Sequence, residues 1–307
     1  MALNNKGSVL VFVLIFIAFA ASTVLLIHER STKSMAETTD DFYENQANIY
    51  ASTAVSAVIE TLKDDDNAYD SKREDWAMVP VIEVPYGFIS VDIQPLNGKI
   101  SLNGMADENP DIAERYLQAC KNIVTETEID SLNCDELKDY IDKDSDVSAG
   151  GAEGVSYERN GVTFKTKNAP LSSLYELRLF MGNNEEFAKV KDYFTVLSPE
   201  KAININFANE ETIKAFLPEI ADFANDIVNY SKANDFKDPS NILEAASIPA
   251  DKYQAVLPFI AVKSSLFYVK TEVTLNDTPR YYHAIIRKSG GQAEVVNFRA
   301  GLNGQYY

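Results

Sequence analysis

Lys6-Gly7-Ser8-Val9-Leu10-Val11-Phe12-Val13-Leu14-Ile15-Phe16-Ile17-Ala18-Phe19-Ala20-Ala21-Ser22-Thr23-Val24-Leu25-Leu26-Ile27-His28-Glu29 is the stretch that decides the fold. From Val9 to Ile27 it carries no charge, and its only hydroxyls are Ser22 and Thr23. As helix, that run rises roughly 28 Å, the thickness of a bilayer's hydrocarbon core. A buried helix of a globular domain would carry a polar face, and none appears before His28-Glu29-Arg30. A cleaved secretory signal would have an apolar region of only ~7–15 residues ending in small residues. The reading is a membrane span or anchor.

Working outward, Met1-Ala2-Leu3-Asn4-Asn5-Lys6-Gly7 is a short polar leader ending in Gly against the apolar run. It resembles the leader of type IV pilins and pseudopilins, which a membrane peptidase cuts after the Gly on the cytoplasmic side. The resemblance implies cleavage between Gly7 and Ser8, with the apolar helix retained. Most such proteins carry Glu at the fifth mature residue, where this chain has Phe12.

The span continues into a longer helix. Neither Gly nor Pro occurs between Ser8 and Pro80, and Met35, Phe42 and Ile49 recur every seven residues. Ala51, Ala54, Val55, Val58, Ile59 and Leu62 extend a helical stripe, read as a core face. One helix from Ser8 to about Leu62 follows, near 80 Å long. Strand patterns appear at Val79–Pro85 and Phe88–Ile93, and Asn97-Gly98 reads as a hairpin turn with Ile100-Ser101-Leu102 returning. Strands resume at Phe267–Leu275, Tyr281–Lys288 and Ala293–Arg299, split by Asn276-Asp277-Thr278-Pro279 and Ser289-Gly290-Gly291. The interval between them is helical in period. The expected class is therefore α+β, a long helix against an antiparallel sheet that is interrupted by an α-helical domain. The divisions are a leader (1–7), the N-terminal helix (8–63, in the membrane to about residue 28), the first sheet part (64–103), the insertion (104–264) and the second sheet part (265–307).

Composition narrows the function. An apolar content of 46% suits a folded body, and a net charge of −18 argues against a nucleic-acid partner. The two histidines, His28 and His283, lie in no metal-ligand spacing. No Gly-x-Ser-x-Gly and no phosphate-cradling loop is present. The reading is a non-enzyme without an organic cofactor. A signal-anchored periplasmic hydrolase is the rival from another class, and it requires a pocket with a strongly raised carboxyl pKa.

A series of motifs then runs along the chain: Leu96-Asn97-Gly98-Lys99-Ile100-Ser101-Leu102-Asn103, Leu137 to Asp146 with Gly150-Gly151-Ala152-Glu153, Lys167-Asn168-Ala169-Pro170, Ser172 to Arg178, and Ile203 to Ala208. In this order, from Gly7 to about Arg287, the series resembles the K family of type II secretion minor pseudopilins (general secretion pathway protein K). That family also lacks Glu at the fifth mature residue, so Phe12 conforms to it. Tyr140 and Phe207 stand where Trp and Thr are expected. The resemblance implies a type IV pilin-like fold with a large inserted α-domain, including a helix-hairpin-helix of the sterile-alpha-motif-like kind at about 203–262. Glu210, Glu211, Glu219, Asp222 and Asp226 would repel phosphate there, so this segment reads as a packing module. The implied role is capping a pseudopilus tip and priming its assembly. The implied partners are the I and J minor pseudopilins, the major pseudopilin and the prepilin peptidase. The implied location is the inner membrane, with the body in the periplasm. A minor pilin of a type IV pilus or DNA-uptake system is the nearer alternative.

Two further expectations concern particular side chains. Cys120 and Cys134 are the only cysteines. In an oxidising periplasm an even count favours a disulfide, and two buried thiols are the alternative. Asp142, Asp144 and Asp146, at alternate positions, followed by Gly150-Gly151 and Glu153, offer hard oxygen ligands of the kind Ca²⁺ takes. An EF-hand would need Gly where Val147 stands, and a solvated acidic loop is the plain alternative. Calcium occurs in the resembled family.

Overall fold

The computed structural model describes residues 6–151, 157–159, 162–182 and 184–302. Side chains are described from Phe19 onward, apart from residue 20, residues 34–37 and residues 152–164. Helix α1 runs from Lys6 to Asp64 without a break, as the absence of Gly and Pro predicts. Among the described residues no helix is long and apolar enough to cross a membrane; the first half of the Val9–Ile27 run has its side chains outside them.

The second half of α1 lays Ala47, Ala51, Ala54, Val55, Val58 and Leu62 against a sheet. Small side chains let the helix backbone approach the strands closely. Phe42 and Ile49, expected in that core face, are instead 53% and 59% exposed. The reason is angular. Residues seven apart share a face, but Ala47 and Ala51 stand two positions from Ile49, about 200° around the helix.

After α1 come β1 (Ile82–Val84) and β2 (Gly87–Pro95). The chain then departs into a second body. It comprises β3 (Ile100–Ser101), α2 (Pro110–Glu126), α3 (Cys134–Ile141), β4 (Tyr157–Arg159), β5 (Val162–Phe164), α4 (Asn184–Tyr193), β6 (Phe194–Thr195) and β7 (Ile203–Asn204). It continues through α5 (Glu210–Phe216), α6 (Ala224–Ala233), α7 (Ile242–Ala245), α8 (Ala250–Val256) and β8 (Ile260–Ala261). The return strands are β9 (Leu266–Leu275), β10 (Thr278–Ser289) and β11 (Gln292–Gly301). The five-stranded sheet has the order β1-β2-β9-β10-β11, antiparallel throughout. Asn276 and Asp277 (φ 49° and 60°) turn β9 into β10, and Gly290 and Gly291 (φ 58° and 75°) turn β10 into β11. These successive left-handed residues are what a two-residue hairpin of this twist requires.

Asn97-Gly98 is not the hairpin that its dipeptide suggested. Leu96–Gly98 forms a 3-10 turn, and β3 pairs in parallel with β6 rather than folding back on β2. Tertiary contacts override the local preference here. The Asn97 amide donates to Lys263 O at 3.0 Å, its carbonyl accepts from the Ser264 hydroxyl at 2.6 Å, and a Cβ on Gly98 would meet Phe207 Cβ at 2.8 Å.

Two large apolar cores result among the described residues, beside a small cluster of Leu96, Leu266, Tyr268 and Ile285. One joins α1 to the inner face of the sheet, and the other lies within the inserted segment, from Ile100 to Val262. The insertion leaves and rejoins the sheet at one end, where Pro95 pairs with Phe267. At that same end the Lys288 ammonium bonds Asp65, just past the end of α1. At the opposite end Arg280 pairs with Asp40, about 25 residues and some 37 Å earlier along the helix. The inserted body therefore sits beside the C-terminal end of α1, far from its N-terminus.

Candidate functional site

The junction between the inserted body and the helix-and-sheet layer is built from buried polar side chains. Asn206 Nδ2 donates to Asp70 O at 3.1 Å and Phe236 O at 2.9 Å, while its carbonyl accepts the Phe236 N–H at 2.8 Å. Asn204 Nδ2 donates to the Ser264 hydroxyl at 2.9 Å. Each buried amide thus sends a donor bond across the junction, to Asp70 O or the Ser264 hydroxyl, while its carbonyl accepts within the inserted body, which specifies one relative placement. Trp76, fully buried, meets Phe267 edge-on and stacks on Phe207 from the insertion. The sequence signals here were the Ile203-Asn204-Ile205-Asn206 run and the lone tryptophan. Neither named its partner.

The acidic loop follows α3. Asp142 is buried at the helix end, whereas Asp144 and Asp146 are exposed. Asp144 Oδ1 accepts the Asp146 N–H at 2.9 Å, a local turn bond. The buried carboxylate of Asp139, not singled out by the spacing, anchors the loop by accepting the Ser148 N–H at 3.1 and 3.2 Å. Asp142, Asp144 and Asp146 do not gather as a set of ligand atoms within 4.8 Å of one another. Glu153 lies outside the described residues.

Cys120 on α2 and Cys134 on α3 are bonded, with Cα atoms 6.1 Å apart. The bond clips two helices of the insertion whose buried faces share its core. Gly7, Ser8 and Phe12 fall in the first turns of α1, and their side chains lie outside the described residues.

Some of the charge on the helical segment from α5 to α8 is paired within the protein. Glu210 pairs with Lys214, and Glu219 with Arg115, whose guanidinium bonds hold the Glu219 carboxyl below the usual range. Arg115 also lies over the Phe259 ring at 4.0 Å. These contacts are internal, in keeping with a packing module. Elsewhere two carboxyls are raised: burial pushes Asp70 up to about 6 and lifts Glu74 as well. Asp70 is fully buried, beside Asp65 and Glu74.

One long helix laid on an antiparallel sheet, with a helical body at the end remote from the helix N-terminus, defines an elongated helix-and-sheet subunit. The family model described as type II secretion system (T2SS), protein K, matches residues 98–200, the first half of the inserted body and somewhat beyond. Type II secretion system protein K of Pectobacterium carotovorum subsp. carotovorum is 24% identical over 97% of each chain. The proteins of the same name from Dickeya chrysanthemi and Klebsiella pneumoniae are 21% and 22% identical, over 98% and 97% of each chain. The fold is shared with a chain in the crystal structure of the GspK–GspI–GspJ complex from the enterotoxigenic Escherichia coli type 2 secretion system. That match has a TM-score of 0.70 at 22% identity and covers 87% of this chain and 99% of the other. Over nearly its whole length the chain is thus similar to protein K of the type II secretion system.

Proposed function

We propose that this chain is a minor pseudopilin that caps the tip of a periplasmic pseudopilus and, with I-type and J-type minor pseudopilins, primes its assembly. It is anchored in the inner membrane by Val9–Ile27 and has a pilin-like body outside the cytoplasm. The observation that carries this reading is the place of the insertion. It stands beside the C-terminal end of α1, joined there through Pro95–Phe267 and Lys288–Asp65. With the N-terminus of α1 in the membrane, that is the membrane-distal end. A subunit stacked above would meet the inserted body, whereas subunits below face only helix and sheet. The exposed Phe42 and Ile49 lie on the side of α1 turned from its own sheet, where a neighbouring helix can pack. The complex named for the structural relative supports the choice of partners.

The role is structural rather than catalytic in this reading, and the prepilin peptidase and the major pseudopilin are the further partners. Calcium in the Asp142–Glu153 loop belongs to the same reading, and it requires the exposed carboxylates to gather around the ion. A calcium-dependent rise in melting midpoint that is lost in Asp144→Asn supports the loop site; an unchanged wild-type midpoint removes it. The role itself is tested by immunogold labelling of assembled pseudopili. A single label at the distal end is expected, and labels along the shaft overturn the cap.

A further inference from the structure

The loop between α1 and β1 brings three carboxylates together: one oxygen each of Asp65, Asp70 and Glu74 lie within 4.8 Å of one another. Asp70 is fully buried and Glu74 is 9% exposed. Donors hold both in place. Asp70 Oδ2 accepts the Ser264 N–H at 2.6 Å. Glu74 accepts from the Asn67 amide at 2.5 Å, the Ser71 N–H at 2.7 Å and the Trp76 indole N–H at 3.1 Å. Supporting bonds of this kind orient ligating carboxylates in metal sites. Asp70 Oδ1, buried in the cluster, accepts no hydrogen bond. Its nearest ion-pair partner among the described residues is the Lys288 ammonium at 3.8 Å, which bonds Asp65 instead.

Three carboxylates against one ammonium leave two negative charges in a buried place. An open groove of about 650 Å³ reaches Asp65 and Glu74 from solvent, with Asp70 behind them. Asp64, Asp66 and Asp75 line that groove beside Asp65 and Glu74, and Arg73 is its one basic residue. Such a groove concentrates cations.

We propose that Asp65, Asp70 and Glu74 form a binding site for a divalent cation that enters through this groove. A charge of +2 neutralises the cluster, and a hard, oxygen-seeking ion such as Ca²⁺ suits an all-carboxylate set completed by water. The bound ion ties the end of α1 to the Asp70 segment, whose backbone carbonyl accepts from Asn204 and Asn206 of the inserted body. It thereby braces the junction. This site is separate from the Asp142–Glu153 loop.

Trp76 is the chain's single tryptophan and bonds a ligand carboxylate, so it reports on this site alone. Terbium, an oxygen-seeking probe for calcium sites, is titrated into the detergent-solubilised full chain. Excitation is at the red edge of tryptophan absorption, where tyrosine is silent. The expected result is saturable terbium emission that excess calcium displaces, lost in Asp70→Asn and kept in Asp144→Asn. Lys288→Met, which removes the competing ammonium, is expected to tighten binding by roughly tenfold or more; it keeps the test open if Asp70→Asn fails to fold. Absence of sensitised emission in the wild type overturns the site, as does emission unchanged by Asp70→Asn. Terbium that binds without tryptophan-sensitised emission and is lost in Asp144→Asn places the ion in the acidic loop and likewise overturns it.

Discussion

The Tyr268 hydroxyl lies 2.6 Å from His283 Nδ1, with the two rings stacked 8° from parallel on the outer face of the sheet. His283 Nε2 faces the Leu302 carbonyl at 3.1 Å, which can only accept, so Nε2 carries the proton and Nδ1 accepts from the phenol. Across the strands His283 is registered with Lys270 on β9 and Arg299 on β11. Burial holds the imidazole below its usual pKa, and those two cations push the same way, against the opposing Leu302 bond.

A pH dependence follows. The unfolded chain takes up this proton near pH ~6.5, whereas the folded chain does so only at lower pH. The neutral histidine's contribution is therefore complete above the unfolded value and lost as pH falls through the folded one. Urea unfolding between about pH 7 and pH 5 should carry a contribution from His283 that falls with acidification, opposed by Asp70, whose raised carboxyl takes up its proton first in the folded chain, and His283→Gln should remove the falling part. Parallel slopes for both proteins would exclude His283 as the source.

At the junction, Asn206→Ala removes three buried hydrogen bonds and strands the Phe236 N–H and carbonyl, while the Asp70 carbonyl keeps its bond from Asn204. A loss of about 3 kcal/mol in urea unfolding is expected, since each unsatisfied buried group costs on the order of 1–3 kcal/mol. Asn229→Ala, on an exposed helix face, serves as the neutral control.

The Cys120–Cys134 bond closes a loop with a sequence separation of 14. In the chain-entropy model that is worth roughly 3 kcal/mol. The double Cys→Ser chain should unfold at correspondingly lower denaturant, and non-reducing peptide mapping of the wild type should recover the two cysteines in one linked pair. Recovery of two free thiols would refute the bond.

Processing is checked at the amino terminus of membrane-extracted protein. Ser8 should be the first residue, because Gly7 leaves room for a peptidase to approach the backbone. A terminus near Ala21, with release from the membrane, would identify an ordinary secretory signal instead.

Phe12→Glu tests the cap from the other end of the molecule. In the proposed assembly a carboxylate at the fifth mature position pairs with the preceding subunit's terminal amine. The first subunit has no predecessor, and an unpaired carboxylate in an apolar setting costs several kcal/mol, to order of magnitude. Phe12→Glu should impair tip-complex formation or admit the chain into the shaft while leaving the melting of the helix-and-sheet body unchanged. Wild-type recovery of the complex, with label at the tip alone, would show that Phe12 has no such role.

Local chemistry alone determined much of this molecule. The Gly- and Pro-free run made α1 legible, because helix formation depends on each residue's own backbone freedom. Asn276-Asp277 and Gly290-Gly291 marked two hairpins, since few residues accept positive φ. The interrupted sheet was visible from where strand periodicity stops and resumes. Tertiary structure decided the rest. It turned Asn97-Gly98 from a hairpin into a packed corner by giving its amide and glycine partners from Lys263, Ser264 and Phe207. It placed Ala47 and Ala51, not Phe42 and Ile49, against the strands. It also chose among 46 acidic residues. The regularly spaced Asp142, Asp144 and Asp146 do not gather, while Asp65, Asp70 and Glu74, unremarkable in order, share one buried place with Lys288. Spacing along a chain constrains ligands only within one regular element. Across a loop and a sheet, long-range packing alone sets which charges meet.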